Sequence, residues 1–260
     1  MAEEKSNEEV MIDYLHKIDR HMAALLTTTQ YLALGPEQIL RFVHQDRAIA
    51  MHLPDAQTDN IQKFIMGKRS FWEERLLTRA KPALDGCRRA LDIGANIGNH
   101  TIYFSRIAGI EEVTCFEPQE HVFGILQRNI ELNDLKNVKA VRAAVGEKQG
   151  AADIKMHRNT SFHGTVYHET PDGEVPVVCL DDFATDPIDF IKIDVEGMQM
   201  SVLKGAVEVL RRDRPKLWIE LRRNHGEFEP ANAFLEELDL GYRAQQISAD
   251  DILFVARPAA

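Results

Sequence analysis

From residue 88 onward the chain alternates short apolar runs with segments long enough to be helices, and this alternation limits the fold more than any single motif. The runs RALDI (89–93), EVTCF (112–116), VKAVRAA (138–144), DFIKID (189–194) and KLWIEL (216–221) read as strands. Helices fit at 98–108, 119–133, 197–211 and 230–239. Apolar strands joined through helices build a parallel sheet from βαβ units. The tail GYRAQQISADDILFVARP departs from the pattern, because its two strand-like runs are joined by a tight Ser-Ala-Asp-Asp turn and give a hairpin-like end. Between 145 and 180 the expected helix is replaced by a stretch rich in Thr, Val, His and Gly, which reads as a β-rich insertion at about 147–178.

The main domain is therefore placed at 86–260, with 1–85 as a helical cap. At 260 residues such a domain has ample chain for a core. Within the cap, Met11, Leu15, Ile18, Met22 and Leu25 recur at alternating spacings of four and three, and Leu32 keeps the register. That is the stripe of an amphipathic helix, which either packs on its own domain or forms a homodimer contact. RAIAMHLP alternates like a strand, and 58–85 holds two helical pieces.

No apolar run approaches the roughly 18 residues needed to span a bilayer. The acidic start MAEEKSNEEV lacks the features of a secretory signal, so the expected location is cytoplasmic. Cys87, Cys115 and Cys179 are widely spaced and form no C-x-x-C pair, which argues against a disulfide framework and a zinc site. With 31 Lys and Arg against 41 Asp and Glu, the net charge of -10 disfavours nucleic acid as a partner.

In open α/β sheets the ligand lies beyond the carboxyl ends of the strands. There the first strand runs into ALDIGANIGNH (90–100). Gly94 and Gly98 bracket a turn in which missing side chains let backbone approach a ligand, but the G-x-G-x-x-G spacing of a dinucleotide loop is absent. Asp92 would repel a pyrophosphate and attract a ligand that carries an ammonium and a sulfonium, the charge pattern of S-adenosylmethionine. Glu117, at the tip of the second strand, can accept both hydroxyls of a ribose.

LDIGANIGNHTIYFS, CFEPQEHVFGILQRNI, CLDDF, DFIKIDVEGMQMSVLKGA and LWIEL together resemble the FkbM-type S-adenosylmethionine-dependent methyltransferases over roughly residues 70–222. The resemblance implies an α/β, Rossmann-like class I methyltransferase fold. Its sheet would be seven-stranded and mostly parallel, in the order 3-2-1-4-5-7-6, with helices on both faces and the last-numbered strand antiparallel. It further implies that Asp92, Gly94, Asn96 and Gly98 contact the methionine part, that Thr101 assists at the carboxylate and that Glu117 holds the ribose. The adenine is expected around Ala143, Ala144 and Val145. The family usually has Glu where this chain has Gln199.

A second constellation, Lys192, Asp194 and Glu196, ends the fourth strand, and alternation puts all three on one face if the strand persists. Related catechol-type methyltransferases coordinate a divalent cation with acids at the ends of strands four and five, where this chain has Asp194 and Glu220; Mg²⁺ or Mn²⁺ is the ion such a site would take. Methyl transfer to a hydroxyl needs a base near neutral pKa. His163 and His225 are candidates, with Asp194 as an alternative and His100 at the pocket floor. Phe71 and Trp72 are either lid or core residues. The expected acceptor is a small molecule or glycan, a sugar hydroxyl or secondary metabolite, and O-methylation is favoured because DVEG replaces the N/D-P-P-Y/F motif of amine methylation. The rival readings are a nicotinamide-dependent oxidoreductase and a binding protein that keeps the fold without turnover.

Overall fold

The computed structural model describes residues 7–156, 165–170 and 172–257. Helix α1 (Asn7–Ala33) leads to a hairpin of β1 (Ile39–His44) and β2 (Arg47–His52), followed by α2 (Asn60–Lys68) and α3 (Glu74–Leu84). The cap is thus not purely helical. The two residues between the strands, Gln45 and Asp46, both have positive φ (45° and 62°), as a type I′ hairpin turn demands. Gln-Asp is an unusual filling for a turn that favours Asn-Gly, which is why ILRFVH is hard to recognise as a hairpin partner. On the domain side, Asn133 exchanges two hydrogen bonds with the Ala50 backbone, and Asn129 accepts from His52 N at 2.6 Å. These bonds fix the hairpin on the helix that carries the two asparagines.

The main domain continues with β3 (Arg89–Ile93), α4 (Asn99–Ile102), a π-helical turn (Tyr103–Ile107), β4 (Glu112–Phe116), α5 (Glu120–Leu132) and β5 (Val138–Val141). Next come β6 (Ala144–Val145), β7 (Gly150–Met156), β8 (Thr165–Glu169), β9 (Val175–Val178) and α6 (Leu180–Phe183). The chain ends with β10 (Phe190–Ile193), α7 (Gln199–Lys204), α8 (Val207–Asp213), β11 (Lys216–Glu220), a 3-10 turn (Arg223–His225), α9 (Phe228–Glu237), β12 (Arg243–Gln246) and β13 (Asp251–Val255). The helix expected at 197–211 is broken around Gly205, where a Cβ would overlap the Gly146 carbonyl oxygen. Close passage of the insertion requires the glycine, and the glycine interrupts the helix.

The seven-stranded sheet runs β12-β13-β11-β10-β3-β4-β5, the expected 3-2-1-4-5-7-6 when read from β5 and numbered from β3. β13 is antiparallel to β11 and to β12. A second sheet, β6-β9-β7-β8, bears out the β-rich insertion. The large sheet separates two cores. On one face Phe104, Phe190 and Trp218 meet Phe71, Leu77 and the hairpin's Ile49 and Met51. On the other, Leu91 and Ile193 meet Leu180, Val202, Leu210 and Leu235. Each such side chain contributes about 1.5–3 kcal/mol on full burial, so the hairpin and α3 are integral to the domain. Among the described residues no helix is long and apolar enough to cross a membrane, and Cys87, Cys115 and Cys179 are free and buried.

Candidate active site

A cavity of about 330 Å³ opens at the carboxyl ends of β3, β4, β10 and β11. One half is formed by Gly94–Asn96, Glu117–Gln119 and Ala143–Val145, the other by Trp72, Glu73, His100, Asp194, Glu196 and Glu220.

The first half is built from backbone. Gly94 N and Ala95 N both donate to Phe116 O, at 3.0 and 2.9 Å, and this pins the turn across the end of β4. Gly94 has φ +82°, and a Cβ on it would overlap the Asp194 carbonyl oxygen, so only glycine lets the turn pass β10. Gly98 (φ +90°) caps α4 from below, against Leu126, and does not line the cavity. Glu117 does line it, although the residue is only 4% exposed. Its two carboxylate oxygens accept from Asn96 N (3.1 Å) and Gln119 N (2.9 Å). Burial pushes its pKa up to about 7; Asp194 and Asp92 add to the rise and the two N–H donors counter it. Each oxygen retains a lone pair for a further donor.

Beneath the second half lies a row of side chains set by strand register. Asp92, Lys192 and Trp218 are neighbours on β3, β10 and β11 and share one face. Lys192 is buried, lies 2.7 Å from Asp194 Oδ2 and sits 5.7 Å from the centre of the Trp218 ring. Burial alone would lower its pKa; Asp194 and Asp92 outweigh that, and the ammonium persists. Asp92 is wholly buried, accepts from Thr101 Oγ1 at 2.6 Å and lies one layer below the cavity wall. Thr101 therefore holds Asp92 and does not reach the cavity, contrary to the expectation that it assists at a cofactor carboxylate. The other oxygen of Asp92 has no hydrogen-bond partner among the described residues.

Above this row, the Asp194 and Glu220 carboxyls lie close enough to shift each other's titration. Burial raises both carboxyls, but Lys192 draws Asp194 below the usual range, while Asp194 drives Glu220 further up. Strand β10 ends at Ile193, so Glu196 does not continue the face of Lys192; it pairs with Arg222. Gln199 is buried and donates to Glu220 O at 3.1 Å, a role that needs an amide where the family has a carboxylate.

His100 enters from α4. The residue is 6% exposed, with its ring edge-on to Trp218 at 5.2 Å and Nε2 3.4 Å from Glu73 Oε2. Glu73 adopts a left-handed backbone (φ +58°), which costs a non-glycine residue roughly 1–2 kcal/mol. Asn99 fixes the segment by accepting from Trp72 N (2.9 Å) and donating to Trp72 O (3.1 Å). Trp72 lines the cavity, whereas Phe71 is a core residue against Phe42 and Tyr103. Sequence reasoning missed Glu73 and Asn99: nothing in FWEERLL indicates which glutamate faces the cavity, because that depends on the left-handed turn.

His225, expected to border the acceptor pocket, is exposed on the turn after β11 and is not part of the lining. His163 lies outside the described residues.

The segment from Asp92 through Glu117 and on to the last hairpin lies within the match of a family model. Residues 92–244, more than half of the chain, match the methyltransferase FkbM domain. The chain belongs to the FkbM methyltransferase family. It is an S-adenosylmethionine-dependent methyltransferase domain. Among curated relatives, a Beauveria bassiana protein named Methyltransferase 1 is 26% identical, over 56% of this chain and 69% of that one. Methyltransferase sdnD of Sordaria araneosa is also 26% identical, over 45% of this chain, which spans only 60% of that protein. Among solved structures, methyltransferase FkbM of Methylobacillus flagellatus KT superposes with a TM-score of 0.52 at 20% identity, over 77% of this chain and 56% of that one. That likeness carries the fold.

A divalent cation fits this FkbM site poorly. Mg²⁺ and Mn²⁺ take about six oxygen ligands. Lys192 already engages Asp194 at 2.7 Å, burial and Asp194 hold the Glu220 carboxyl above the usual range, and no cluster of three His, Cys, Asp or Glu that could hold a metal occurs among the described residues.

Proposed function

We propose that this chain methylates a hydroxyl oxygen of a sugar, glycan or secondary metabolite. The observation that carries the reading is the meeting of His100, Glu73 and the Asp194–Glu220 pair in one cavity beside the Gly94 turn. S-adenosylmethionine, when bound, supplies a methyl group on a positively charged sulfur. The Gly94–Asn96 backbone would face its methionine part, with the negative charge of Asp92 acting from beneath. The spare lone pairs of Glu117 suit two ribose hydroxyls, and Ala143–Val145 offers an apolar strip for the adenine. The unmatched Asp92 oxygen fits a ligand of this charge.

On the acceptor side, a hydroxyl proton needs somewhere to go. Burial and the neighbouring Asp194 push the Glu220 pKa up, and Asp194 is engaged by Lys192. His100 Nε2 has no hydrogen-bond partner among the described residues and lies 3.4 Å from Glu73 Oε2, so it is the nitrogen offered to that proton. Lys192 acts as a positioning residue that fixes Asp194. The test is incubation with methyl-labelled S-adenosylmethionine and a panel of polyols, glycans and amines. A methyl ether is expected, and His100→Gln should lower kcat by about 10²-fold while leaving cofactor affinity unchanged. An N-methyl product, or full turnover by H100Q, would overturn the reading.

A further inference from the structure

We infer that α1 is an assembly element whose exposed face pairs with the same face of a second copy of this chain. The helix is 27 residues long, about 40 Å, yet it touches its own domain only through its last turns. Thr27, Gln30, Tyr31 and Leu34 are the half-buried positions there, and Tyr31 Oη donates to Pro54 O at 3.0 Å. At 100° per residue these four lie on the side of the helix opposite Met11, Leu15, Ile18, Met22, Leu25 and Leu32. That second stripe faces solvent: its members are 54–72% exposed. The mooring to the domain therefore leaves the apolar face open.

Three observations commit the face to a second copy. First, the 4-3-4-3 spacing from Met11 to Leu25, with Leu32 in phase, is the 3.5-residue period that keeps an apolar seam against another helix, and a symmetric pair brings two identical seams together. Second, Val10, Tyr14 and Leu26 border the seam and bring it to nine exposed large apolar side chains, on the order of 1,000 Å² per protomer, which is the class of a stable dimer. Third, the flanking charges of α1 are Glu8, Glu9, Asp13 and Asp19 against Lys17 and Arg20. An acidic polar face disfavours an anionic lipid surface, whereas a helix this exposed gains most of its stability by packing.

Sedimentation velocity on the full chain at micromolar concentration should give a particle of two 29.5 kDa chains. The L15E/M22E double variant should sediment as one chain with S-adenosylmethionine affinity unchanged, which shows that the domain still folds. Amide exchange in α1 should also quicken on dilution of the parent protein. A parent chain that sediments singly, or an L15E/M22E variant that remains paired, overturns the inference. Recruitment of single chains to phosphatidylserine vesicles would assign the face to lipid and overturn it as well.

Discussion

Lowering the pH from 8 to 6 should weaken S-adenosylmethionine binding about ten-fold through Glu117 alone. In the free protein burial holds this carboxyl at about 7, so at pH 6 roughly nine molecules in ten carry the proton and at pH 8 roughly one in ten. Two ribose hydroxyls need the ionised form as acceptor, and their donation pulls the bound pKa back towards or below 4.5. Binding at pH 6 must then expel about 0.9 proton, a penalty of about 1.4 kcal/mol relative to pH 8. Calorimetry in buffers of different ionisation enthalpy measures both quantities. The Glu117→Gln variant shares the cofactor's own titration but lacks the carboxyl, so it should bind weakly at pH 8 and lose the Glu117 share of the pH dependence. The same shift acts on folding with a definite sign. A carboxyl whose folded pKa lies above its unfolded value costs stability as pH rises from 4.5 to 7, here about 3 kcal/mol, and E117Q should therefore resist urea better than the parent at pH 8. Equal proton release from parent and variant at pH 6 would refute the placement of the ribose at Glu117.

Gly94→Ala should abolish cofactor binding and lower the urea midpoint, since both the positive φ and the Asp194 carbonyl oppose a Cβ; binding within ten-fold of the parent would contradict the close approach of turn and strand. Lys192→Met should cost about 3 kcal/mol in urea unfolding, the low end for a broken buried pair because the Asp194 side chain is 38% exposed to the cavity. Adding Asp194→Asn to it should recover most of that loss, and a K192M loss below about 1 kcal/mol would mean the ammonium is not the partner holding the carboxylate. Turnover should be unaffected by EDTA, because Lys192 already engages Asp194 and no cluster of three metal-ligating side chains occurs among the described residues; loss of activity that Mg²⁺ restores would reverse that assignment.

The features readable in the sequence are those enforced locally. The strands followed from apolar runs at helix-length spacing, their order only from the family resemblance, and Glu117 from its position where β4 ends. Gly94 could be read because the chemistry of a turn against a strand leaves no other residue type. What the sequence concealed depends on contacts between distant segments. Glu73 reaches the cavity only because its backbone turns left-handed and Asn99 clamps Trp72, twenty-seven residues away in the chain. β1 was obscured by a Gln-Asp turn. The helix at 98–108 lost its regularity to a π-helical turn that no residue in TIYFS announces.

The charges of β10 show the same division at finer scale. An otherwise apolar strand carrying Lys192 and Asp194 signals that something nearby uses them, and this much is legible from IKIDVEG. Their use is decided by register, because Asp92, Lys192 and Trp218 become neighbours only when three separate strands align. Taken singly, Asp92 looks like a cofactor ligand and Lys192 like one member of a charged cluster at the strand end. Taken as a row, the two carboxylates Asp92 and Asp194 keep the buried ammonium charged, the ammonium draws Asp194 below the usual range, and Asp194 pushes Glu220 up. Neither Asp92 nor Lys192 lines the cavity, yet together they set the charge of the wall that does.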